Sequence, residues 1–273
     1  MWYVDLMIGK DENTHTLDES WVPPESLSKE EINQLPLFQF SGSISLVRTE
    51  AEQARALRHL SRVDAVGVDT ETRPSFRKGV FHKPSLLQMA TADEAFIFLL
   101  KTTGISDELA AFFENPAIVK AGVAIGDDIR LLARHRPFTA QGLVDLAKIA
   151  RRSNICQQGL RGLAAYFFGV RISKSEQCSN WGRVELTDRQ VAYAATDAWM
   201  SLAIYRFMET NSLLQVTEGM DASSLKAGSA RRSTLRAGRA ASSAGTALRP
   251  PAPSKSKNVF LPVGKRNSRS TGP

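Results

Sequence analysis

The stretch Asp64-Ala65-Val66-Gly67-Val68-Asp69-Thr70-Glu71 decides how this chain is read. Its small and β-branched residues predict a strand, along which side chains alternate between the two faces of a sheet. Val66, Val68 and Thr70 fall on one face, and Ala65, Gly67, Asp69 and Glu71 on the other. Asp69 and Glu71 are then neighbours, about 7 Å apart along the strand. Two such anions repel unless a cation lies between them. Gly67, lacking a side chain, is expected to leave room beside them for a substrate or a metal. The competing reading is a strand that ends in a solvated turn with ordinary surface carboxylates, and Arg73-Pro74 fits such a turn.

Outward from this strand, the pattern alternates between strands and helices. Ser43–Val47 alternates weakly as a strand, and 49–62 reads as a helix with Ala51, Ala54, Leu57 and Leu60 at helical spacing. Residues 85–90 and 94–100 read as strands across the turn Thr91-Ala92-Asp93, 106–115 as a helix and 117–123 as a strand. Helices follow at 127–135, 143–150, Leu160–Phe168 and 188–208. The expected fold is an α/β sandwich, a mixed central sheet flanked by helices. Residues 1–36 read as a polar extension with one short helix near Lys29–Gln34, residues 37–215 as the folded unit, and 216–273 as a basic tail.

Two further segments bring carboxylates into apolar surroundings. In Lys120-Ala121-Gly122-Val123-Ala124-Ile125-Gly126-Asp127-Asp128, the helix stripe is Ile125, Ile129 and Leu132. Asp127 and Asp128 both lie in its first turn, where the helix dipole favours anions, and spacing does not say which turns inward. The last helix opens on Thr187-Asp188-Arg189-Gln190, a capping-box sequence, and carries Tyr193 and Asp197 at i, i+4 on one face. Small Ala194 and Ala195 let this helix approach another element closely. Burying a carboxylate costs several kcal/mol unless it is compensated. Convergent Asp and Glu without His or Cys select hard cations such as Mg²⁺ or Mn²⁺. Two such ions, about 3.5–4 Å apart, would activate a water and stabilise the leaving oxygen of a phosphodiester.

Composition narrows the remaining classes. The apolar fraction of 42% suffices for a packed core, and no run approaches the roughly 20 apolar residues that span a bilayer, so no membrane partner is expected. The first 19 residues hold five acidic side chains and no Arg, unlike a secretory or transit peptide. Cys156 and Cys178 have no C-x-x-C spacing and the four histidines are scattered, which argues against zinc and for reduced thiols in the cytoplasm, or the nucleus of a eukaryote. The net charge of +7 is uneven. Residues 222–273 hold 11 of the 35 basic residues and no acidic one; the other 24 face all 28 acidic residues, so 1–221 carry −4. Such a tail, poor in large apolar residues, is expected to be disordered and to serve as an electrostatic tether to phosphates or as a solubilising segment.

Taken in order, Asp69-Thr70-Glu71, the Gly122-to-Asp128 stretch and Tyr193-x-x-x-Asp197 resemble the three motifs of the DEDDy 3′–5′ exonucleases, the group of ribonuclease D and the Werner-syndrome exonuclease domain. Ile172-Ser173-Lys174-Ser175 and Ser179-Asn180-Trp181 resemble the segment before the third motif in the Werner-like branch. The resemblance implies a ribonuclease H-like fold and hydrolysis of a DNA or RNA 3′ end to nucleoside 5′-monophosphates with two Mg²⁺ or Mn²⁺ ions. Asp69, Glu71 and Asp197 would hold one ion, Asp69 and Asp128 the other, and Tyr193 and Glu71 would orient the water. Asp128 is preferred to Asp127 on its spacing from Gly122. Arg73, Lys78, Lys83 and Lys174 are candidate phosphate contacts. A nucleic-acid-binding or adaptor module without turnover, working through the basic tail, is the alternative.

Overall fold

The computed structural model describes residues 21–75, 82–183 and 185–215. Its strands are Ser43–Val47 (β1), Ala65–Thr72 (β2), Pro84–Ala90 (β3), Glu94–Leu99 (β4), Val119–Gly122 (β5) and Leu143–Asp145 (β6). They form one sheet in the order β1-β4-β3-β2-β5-β6. The β1–β4, β2–β5 and β5–β6 pairs are parallel, and β2–β3 and β3–β4 are antiparallel. The mixed sheet expected from the sequence is met. Its helices are Lys29–Gln34 (α1), Glu50–Leu60 (α2), Leu100–Thr103 (α3), Asp107–Glu114 (α4), Ile125–Ala133 (α5), Leu146–Arg152 (α6), Leu160–Phe168 (α7) and Asp188–Thr210 (α8).

Strand alternation divides the packing. Val66, Val68, Leu87, Met89, Phe96 and Phe98 face a core completed by α2, α4 and α5 through Leu57, Leu60, Leu109, Phe113, Ile129 and Leu132. Each large side chain buried there stabilises the fold by about 1.5–3 kcal/mol. The opposite face carries α8, which crosses β2, β3, β4 and β5. That helix is buried nearly all round from Ala194 to Tyr205, as a central helix must be. Its start is fixed by the expected capping box, in which the Thr187 hydroxyl accepts from Gln190 N–H and the Gln190 side chain accepts from Thr187 N–H.

Three local features depart from the pattern reading. The segment 143–150 is a short strand followed by a helix, because Asp145 accepts from Ala147 N–H and caps α6 there. Its apolar residues suit either period, and three residues are too few to declare a strand. The helix after β5 starts at Ile125, two residues early, because Ala124 takes a left-handed turn (φ 55°) and gives its N–H to Asp145. Contacts also begin before Leu37. The Trp21 indole donates to Tyr166 O, Arg171 to Leu35 O, and Leu37 bridges Arg171. Lys78 and the tail 216–273 lie outside the described residues.

Candidate active site

Asp69 and Glu71 end β2 on the face covered by α8, with Gln88 and Leu86 as their partners on β3. Gly67, one step earlier on that face, sets how near α8 comes. A Cβ built there would lie 1.9 Å from Ala198 O and 2.6 Å from Leu202 N. The expectation that Gly67 makes room for a substrate or metal is therefore corrected: the space is filled by the backbone of α8. Small Ala194, Ala195 and Ala198 complete this close approach. It brings Asp197 against the strand, and ligand oxygens of Asp69, Glu71 and Asp197 lie within 4.8 Å of one another.

The electrostatics of this cluster are unfavourable as it stands. Burial, with Asp128 nearby, pushes the Asp69 carboxyl up to about 7. Burial and then the Asp69, Asp197 and Asp128 charges push Glu71 up to about 9. Asp197 is held well above the usual carboxylate range by burial and Asp69. Among the described residues no Lys or Arg pairs with any of the three. Three clustered carboxylates without a cationic partner fit a divalent metal, whose charge would offset both desolvation and repulsion. All-oxygen donors suit Mg²⁺ or Mn²⁺ better than zinc.

Tyr193 stands one turn before Asp197 on α8, and its hydroxyl donates toward the Asp197 carboxylate. Burial and the surrounding carboxylates push its pKa up, so the phenol stays protonated. The ring lies 5.8 Å from that of Trp181, which is 1% exposed and packs as a core residue. Asp127 and Asp128 separate cleanly. Asp127 points outward and pairs with Arg130, whereas Asp128 is half-buried, shares a hydrogen bond with the Thr70 side chain and has its pKa raised by burial. Asp128 stands near Asp69 but outside the three-residue cluster.

Of the cations singled out in the sequence, Arg73, Lys83 and Lys174 are exposed. Arg73 runs alongside Gly182, and Lys83 Nζ sits 3.2 Å from His135 Nδ1. A cleft of about 190 Å³ opens on Tyr193 and Asp197, walled by Leu37, Phe38, Ser173 and Arg189. The sequence pattern gives none of these four a role at the site. The one local signal is Arg189, a cation in the first turn of the motif helix. Gln88 has no signal in the pattern either, although it is fully buried directly opposite Asp69.

A mixed α/β sheet with carboxylates gathered at the end of its central strand, beneath one long helix, defines a ribonuclease H-like nuclease fold. Residues 44–212 match the family model described as 3′-5′ exonuclease. The chain belongs to that family, as the three motifs led one to expect. The mouse bifunctional 3′-5′ exonuclease/ATP-dependent helicase WRN is 31% identical over 185 residues, covering 64% of this chain and 13% of that protein. The human exonuclease mut-7 homolog is 30% identical over 171 residues, covering 52% of this chain and 19% of that protein. The chain thus spans less than a fifth of either relative. Among solved structures, the Aedes aegypti Nibbler EXO domain matches with a TM-score of 0.56 at 23% identity, covering 67% of this chain and 94% of that one. Escherichia coli RNase D matches with a TM-score of 0.57 at 22% identity, covering 63% and 47%.

Proposed function

We propose that this chain hydrolyses the terminal phosphodiester at the 3′ end of a nucleic acid and releases nucleoside 5′-monophosphates, with two Mg²⁺ or Mn²⁺ ions as cofactors. The observation that carries this reading is the convergence of Asp69, Glu71 and Asp197, with ligand oxygens within 4.8 Å and, among the described residues, no Lys or Arg paired with them. When bound, the ions would supply an activated water and neutralise charge on the phosphate and the leaving oxygen. Asp69, Glu71 and Asp197 would hold one, and Asp69 with Asp128 the other.

The chain's own groups supply orientation. Glu71 accepts a hydrogen bond from the attacking water, and Tyr193, kept protonated by its surroundings, donates one rather than acting as a base. The water oxygen attacks phosphorus, the bond to the 3′ oxygen of the preceding nucleotide breaks, and that oxygen takes a proton. Arg73, Lys83 and Lys174, exposed near these motifs, contact phosphates and fix the strand rather than read its bases. Cys156 and Cys178 are free and exposed, which supports a reducing compartment, the cytoplasm or a eukaryotic nucleus. Among the described residues no helix is long and apolar enough to cross a membrane.

The test uses 5′-labelled single-stranded DNA, single-stranded RNA and recessed duplex with Mg²⁺, Mn²⁺ or EDTA. Single-stranded RNA is included because a Trypanosoma brucei RNase D of this fold was solved in complex with RNA U12. A metal-dependent ladder shortening from the 3′ end, lost in the Tyr193→Phe, Asp197→Asn double variant, is the expected result. Binding without a ladder on any substrate would overturn the enzyme and leave the binding or adaptor module.

A further inference from the structure

A cavity of about 410 Å³ lies at the end of the sheet where β2 finishes and β3 begins. Leu86 in its wall is the register partner of Glu71, so only the width of one strand separates the cavity from the acidic cluster. The floor is apolar, and around it stand Lys83, Lys101, His135 and Arg183, from four separate parts of the chain. Among the described residues no Asp or Glu lines the cavity. The three Lys and Arg side chains are exposed, and among the described residues none has an ion pair. Trp181 lines the cavity with an indole N–H that is buried and has no partner among the described residues, and its ring meets that of Tyr193.

Like charges gathered over an apolar floor repel one another without an anion between them. The volume falls in the range of small-ligand sites. A nucleotide matches both halves, with its base against the apolar floor and its phosphate among the cations. We infer that this cavity is a second nucleotide subsite, holding one nucleotide of the substrate strand away from the scissile bond. The inference rests on the nuclease reading above and adds Lys101, His135 and Arg183 to the binding surface. It gives the enzyme a length requirement: strands long enough to reach the cavity bind more tightly than strands that end at the acidic cluster.

The test measures fluorescence anisotropy of 5′-labelled oligonucleotides of increasing length, all in the 273-residue chain carrying Asp197→Asn so that nothing is consumed. A stepwise gain in affinity with length is expected. Adding Lys101→Glu and Arg183→Glu is expected to remove that step, weaken long strands by about tenfold or more, and lower the salt slope by about 0.7, for the one phosphate no longer neutralised. Arg58→Glu, an exposed cation on α2, is the control for charge alone and is expected to leave the step in place. If Lys101→Glu, Arg183→Glu behaves like Arg58→Glu, or if no step with length exists, the subsite is overturned. Cleavage by the unsubstituted protein is read in parallel. A ladder without the binding difference removes the cavity alone, whereas a binding difference without any ladder removes the catalytic reading alone.

Discussion

At Glu71, burial and the neighbouring carboxylates hold the carboxyl at about 9, and Asp69 is held at about 7. Unfolded, both would give up their protons near pH 4. Between that value and 7 to 9 the native state therefore binds more protons than the unfolded chain, and stability falls as pH rises. Thermal unfolding in EDTA should show a melting temperature that declines from about pH 5 to pH 9, over the window those two shifts define. Glu71→Gln removes one source of the decline and should melt higher than wild type near pH 9. Millimolar Mg²⁺ should raise the wild-type melting temperature there and raise that of Glu71→Gln less. A Glu71→Gln protein that melts lower than wild type in EDTA at that pH would mean that the charge is compensated by something other than a metal. The two aspartates of α5 give a sharper contrast. Asp128→Ala should lower kcat by about 10²–10³, the order seen when one stabilising group is removed from an active site. Asp127→Ala loses only an exposed ion pair with Arg130, about 0.5 kcal/mol of stability, and should keep activity within about twofold. Steady-state kinetics on one labelled strand decides between them.

Elements meet at two points where a single atom group sets the geometry. At Gly67 the backbone of α8 fills the place of a side chain, so Gly67→Ala must push strand and helix apart. Overpacking of this kind costs about 1–3 kcal/mol, and here it also displaces Asp197 from Asp69 and Glu71. Urea unfolding should show the loss, and metal affinity by calorimetry should fall with it. Lys120 on β5 is fully buried, its Nζ donating to the carbonyls of Phe113, Asn115 and Gln141 and lying 5.4 Å from the Phe112 ring centre. Burial lowers its pKa to about 8, yet three acceptors match its three protons. Lys120→Met leaves those carbonyls without their donor and should cost about 3 kcal/mol or more in the same unfolding assay. These two residues also show where the sequence stops being legible. The strand and helix around Asp69 and Asp128 are readable because each motif sits on an element with a clear period, and α8, buried nearly all round, is marked by its capping box. A glycine, by contrast, looks alike whether the absent side chain clears space for a ligand or for a helix, and only the packing tells them apart. Leu143-Val144-Asp145 is too short to show a period, and its neighbours fit a helix equally well. The cavity's polar rim lies at positions 83, 101, 135 and 183, so no local pattern joins it.

Over the whole molecule, charge is arranged against the proposed task. Residues 1–221 carry a formal −4, and the acidic cluster adds local negative potential where a polyanion must approach. The cavity cations offset this at one end of the sheet, but they act within about 8 Å in physiological salt. The 11 Lys and Arg of residues 222–273, with no acidic residue among them, would supply the long-range attraction if they serve as the proposed tether. Their contribution should follow counterion release, each neutralised phosphate adding about 0.7 to the salt slope on a single strand. Deleting residues 222–273 should therefore weaken binding of a long single strand by about tenfold or more at about 50 mM salt and by much less at about 200 mM, with a shallower slope between. The direction of the ladder should not change, because the groups proposed for catalysis lie on β2, α5 and α8. Equal affinity of the 273-residue and shortened chains across the salt series would show that the attraction arises within residues 1–221, with Lys83, Lys101 and Arg183 as its source.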